Sequence, residues 1–138
     1  MLGKFEVSDL TKITFFRKNG VFWGFREIGH TGFGEEGDDI LCSALSAMTM
    51  LILNTLEVAY KCPVDYRIDD KTTDITVKCL SALPDHEKDE KKRFAASGLI
   101  EGYYYQLKDL VEEYYEFLEV KTEEKWRQQK NIGGNNND

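Results

Sequence analysis

From Ile40 to Leu56 the chain carries no charged residue, and any fold it adopts must find cover for that segment. The run is shorter than the ~20 residues that cross a bilayer, and Ser43, Ser46, Thr49, Asn54 and Thr55 interrupt it. It reads as the core helix of a soluble protein, with no membrane partner. Asp39 suits an N-cap, and Pro63 stops the run. Leu41, Leu45, Met48, Ile52 and Leu56 mark one face, while Leu51 and Leu53 widen it. A helix apolar nearly all round belongs between other layers.

Alternating segments flank that helix. Between Lys12 and Arg17, Ile13 and Phe15 fall on one face and Thr14 and Phe16 on the other. Asn19-Gly20 favours a type I′ turn because both residues tolerate positive φ, so Val21 to Ile28 returns as a second strand ending near His30. Beyond Pro63, Val64, Tyr66 and Ile68 and then Ile75, Val77 and Cys79 alternate with polar neighbours, a second hairpin. Pro84 to Arg93 is a charged connector. A last helix follows, with the stripe Leu107, Leu110, Val111, Tyr114, Phe117 and Leu118. The expected fold is α+β, in the order β-β-α-β-β-α, with two helices packed on an antiparallel four-stranded sheet. One domain spans 12–124, residues 1–11 form a lead-in, and 125–138 form a disordered tail.

Lys plus Arg number 18 and Asp plus Glu 25, a net charge of −7. Such a chain gains nothing from counterion release, so direct nucleic-acid binding is disfavoured, whereas a basic peptide is a suitable partner. Three cysteines and a start without an apolar signal segment fit free thiols in a reducing, cytoplasmic setting. No CxxC pair exists and the two histidines are far apart, so no metal and no cofactor are expected.

Thiol chemistry needs a thiolate. With Asp39 as cap, Cys42 falls in the first helical turn, where unpaired N–H groups and the helix dipole favour an anion. His30 lies twelve residues earlier, across a glycine-rich loop containing Gly32, Gly34 and Gly37 that is expected to be mobile. Glu35, Glu36, Asp38 and Asp39 act against a thiolate there. The plain alternatives are a small buried hydrophobe at Cys42 and a hydrogen-bonded strand end at His30. Cys79 falls on a strand's core face, and Cys62 shows no activating group. Tyr103, Tyr104 and Tyr105 span roughly 200° of a helix, so some of that aromatic surface is exposed or covered by another chain.

The segment from Gly29 to Ser46, GHTGFGEEGDDILCSALS, resembles the signature of the bacterial ribosomal processing cysteine protease (Prp) family. The matching positions are Gly29, His30, Gly34, Gly37, Asp39, Ile40, Cys42 and Ser46, and the order of elements fits from about Lys12 to Val120. The resemblance implies a cysteine endopeptidase that removes the N-terminal extension of large-subunit ribosomal protein twenty-seven during ribosome assembly. Cys42 would be the nucleophile and His30 the base. Asp39 would hold the helix start or orient His30, and Ser46 would donate a hydrogen bond or serve as a small packing residue. The family also forms homodimers, consistent with the exposed tyrosines. The rival readings are a non-catalytic ribosome-assembly or peptide-binding module and a thiol redox sensor.

Overall fold

The computed structural model describes residues 10–29, 36–69, 71–72 and 74–125, the side chains of 36–39 excepted. Strands β1 (Thr11–Lys18) and β2 (Val21–Ile28) form the first hairpin, followed by helix α1 (Glu36–Asn54) and one π-helical turn (Thr55–Ala59). Strands β3 (Asp65–Ile68) and β4 (Ile75–Lys78), helix α2 (Glu90–Tyr114) and strand β5 (Leu118–Glu124) complete the chain. The Asn19-Gly20 turn has φ of 53° and 81°, the two positive values that a type I′ turn requires.

The sheet is five-stranded, in the order β3-β4-β2-β1-β5. This corrects the expected four antiparallel strands: β5 pairs parallel to β1, from Thr11↔Leu118 to Arg17↔Glu124. The apolar residues near 117 suggest a continuing helix, but α2 stops at Tyr114. Phe117 N–H then donates to the Tyr114 carbonyl, and Leu118 enters the sheet, buried. The domain reaches Lys125, whose N–H donates to the Arg17 carbonyl. At the other end β1 begins at Thr11, one residue inside the expected lead-in. Residues 1–9 and 126–138 lie outside the described residues.

The cross-strand pairs Ile13↔Glu27 and Phe15↔Phe25 place these four side chains on one face of the sheet. That face meets the helices, since Tyr103 of α2 stacks edge-on to both Phe15 and Phe25. Leu41, Leu45, Ile52 and Leu53 of α1, Leu56 of the π-helical turn and Ala96, Ile100 and Leu107 of α2 fill the layer between. Strand β3 is an edge strand exposed along its length, not the half-buried strand its alternation suggests. Helix α1 is also less covered than its composition implies: Leu51 is 61% exposed and the following Val58 68%. With its π-turn, the stretch Ile40–Ala59 has the length and composition of a membrane span, longer than the uncharged run alone. Its buried stripe nonetheless belongs to the core of this domain.

Candidate functional site

Cys42 lies on α1 and is half-buried. The other two cysteines are sealed in the core, and none of the three forms a disulfide. Burial, with Cys62 beside it, pushes the Cys79 thiol up to about 12, which leaves it protonated and inert. Cys42 is therefore the cysteine with access to solvent.

The helix start differs from expectation. Because α1 begins at Glu36, Asp39 lies inside it and is not its N-cap. Gly37 is helical and does not belong to a loop. Cys42 is the seventh residue of α1, beyond the four orphan N–H groups of a helix start. Its own amide is thus engaged in the helix and does not point at an oxyanion. Ser46, one turn further along, is exposed. His30, Gly32 and Gly34 lie outside the described residues, as does the side chain of Asp39.

The residue before His30 is closely fixed. Gly29 has φ of +79°, and a Cβ there would sit 2.5 Å from the Leu10 carbonyl oxygen. Thr11 Oγ1 donates to the Gly29 carbonyl at 3.4 Å. Only glycine meets both demands, so the chain leaves β2 towards His30 from one defined point.

Sequence reasoning missed Glu27, two residues earlier. This carboxyl is completely buried. Its Oε2 accepts from Tyr103 Oη of α2 at 2.6 Å and from Thr49 Oγ1 of α1 at 3.1 Å. The two hydroxyls lie 3.3 Å apart, and Oε1 has no hydrogen-bond partner among the described residues. Burial pushes the carboxyl up to about 7, against the opposing pull of the Tyr103 and Thr49 hydrogen bonds. A signal was available: strand alternation puts Glu27 in line with Phe25, an acid on an apolar face. Among the described residues, no group of three His, Cys, Asp or Glu is placed to hold a metal ion.

An α+β domain with a mixed five-stranded sheet thus carries one solvent-accessible thiol, on α1, and its family match sets its class as a cysteine protease. A sequence model of the family described as cysteine protease Prp matches residues 10–119, and the chain belongs to that family. Among solved structures it is similar to SMU.848 from Streptococcus mutans, at 29% identity and TM-score 0.68, covering 84% of this chain and 99% of that one. It is also similar to the essential ribosomal processing protease Prp from S. aureus in complex with a substrate peptide (17% identity, TM-score 0.67, 83% and 100% covered). The S. aureus protease with a covalently linked product peptide matches at 21% identity and TM-score 0.65, with the same coverage. No curated protein matches the chain.

Proposed function

We propose that this chain is the endopeptidase that removes the N-terminal extension of large-subunit ribosomal protein twenty-seven in its own organism. The observation that carries the reading is the family match across the segment holding His30 and Cys42. The peptide-bound S. aureus structures of the same fold lend support, as does the net charge of −7, which suits a basic ribosomal substrate. His30 takes the Cys42 proton and the thiolate attacks the scissile carbonyl. His30 then protonates the leaving amine, and water hydrolyses the thioester. Asp39 and Ser46 support this pair, and no cofactor enters the reaction.

The protein works in the cytoplasm as a homodimer on a peptide, with neither nucleic acid nor membrane as a direct partner. The exposed apolar face of α1 supports the dimer, and three cysteines outside any disulfide support a reducing compartment.

Incubating the purified protein with a synthetic peptide spanning the extension, followed by mass spectrometry, tests the reading. One cleavage is expected, lost in both Cys42→Ala and His30→Ala while circular dichroism stays native. Cleavage by purified Cys42→Ala would end the assignment. An intact peptide with the native enzyme would favour a binding module or a thiol sensor instead.

A further inference from the structure

Glu27 has no part in the chemistry above, yet it joins the elements that the chemistry needs. Thr49 lies seven residues after Cys42, about 10 Å along the same helix and on the same face. Glu27 lies three residues before His30, a reach of at most ~10 Å of extended chain. One carboxylate oxygen is thus bonded to the helix that carries Cys42, through Thr49, and to α2, through Tyr103. We propose that Glu27 is a positioning residue, whose carboxyl sets how α1, and with it Cys42, seats on the strand leading to His30. The inference rests on the reading of Cys42 as nucleophile.

The surroundings make this seating depend on protonation. Across the sheet Glu27 pairs with Ile13 of β1 and Ile75 of β4, both apolar. Among the described residues the titratable groups facing it are Tyr103 of α2 and, from β3, Tyr66, whose hydroxyl is raised first by burial and then by the Glu27 charge. Neither tyrosine supplies a cation, so among the described residues a negative Glu27 stands buried without a counter-charge, which the packing opposes. While protonated, the group is a neutral link between sheet and helices. Once ionised, it disfavours a second negative charge on the Cys42 sulfur.

The test uses the full chain and iodoacetamide as the probe, with the rate of Cys42 modification followed by mass spectrometry. Native protein and Glu27→Gln are compared between about pH 5 and about pH 9, at a temperature where both are folded. Glutamine keeps an oxygen for Tyr103 and Thr49 but never ionises. The two proteins are expected to react alike at the acid end. Above the Glu27 midpoint the native thiol falls behind by about threefold or more, the effect of half a pKa unit. Tyr103→Phe removes a bond that favours the charged carboxylate, so the point of divergence moves to higher pH. If that variant does not fold, the comparison of native and Glu27→Gln stands alone.

Superimposable profiles would overturn the proposal, even if Glu27→Gln changes the melting temperature, as a purely structural role predicts. A Cys42 unreactive in both proteins would overturn it too. Failure of the protease reading shows elsewhere, as peptide cleavage by Cys42→Ala.

Discussion

At Gly29 a positive φ and a carbonyl 2.5 Å from the missing Cβ coincide in the residue before His30. Gly29→Ala is expected to cost about 2 kcal/mol, since a left-handed non-glycine residue is strained by itself. The cost is measured as a drop in denaturation midpoint, with a matching loss of peptide cleavage. Glu27 gives a prediction with a sign. Its folded pKa of about 7 stands above the ordinary 4.5, so its stabilising contribution is complete below pH 4.5. That contribution is lost as pH rises through 7, about 3 kcal/mol in all. Urea midpoints of the native protein should fall over this window, whereas those of Glu27→Gln should not. A flat native profile would contradict the burial seen here. Cys42 is singled out in the sequence by the motif from Gly29 to Ser46, while the helix start expected to activate it lies six residues further upstream, at Glu36. Glu27 is not singled out, since the partners that hold it, Thr49 and Tyr103, are remote in sequence.

Elements were legible where their signals are local. The Asn19-Gly20 hairpin follows from turn chemistry, and the alternation that fixes Phe15 opposite Phe25 is visible in the chain. Strand β5 was not visible, because Leu118-Glu-Val continues the apolar spacing of α2 and only the pairing with β1 decides its state. The start of α1 was obscured for a similar reason. Asp39 is a sound cap by residue type, but the acidic stretch before it is equally able to begin a helix. Two expectations test the packing of elements. Gly24 lies where a Cβ would meet the Val77 carbonyl oxygen at 2.5 Å, so Gly24→Ala should force β2 and β4 apart and cost about 1–3 kcal/mol. Asp89 caps α2 by accepting from Lys91 N–H at 3.0 Å. Its replacement by alanine should cost about 1 kcal/mol, read as a lower melting temperature with cleavage unchanged.

On the scale of the whole molecule, the uncovered face of α1 sets the expectation for assembly. Leu51 of α1 and Val58 of its π-turn present apolar surface that the described residues do not bury, and surface of that kind suits the dimer proposed above. Leu51→Glu combined with Val58→Lys should convert a dimer into a monomer by light scattering, without unfolding it. A native protein that is already monomeric would refute the dimer. The parallel seam between β1 and β5 bears on a different matter, the order in which the molecule comes into being. The strand beside β1 begins only at Leu118, far along the chain from Thr11, and contacts between such distant segments form late. A nascent chain halted before Leu118 leaves one margin of its sheet open. Until β5 arrives, the β1 margin from Thr11 to Arg17 offers a row of unpaired backbone groups to any strand that reaches it first.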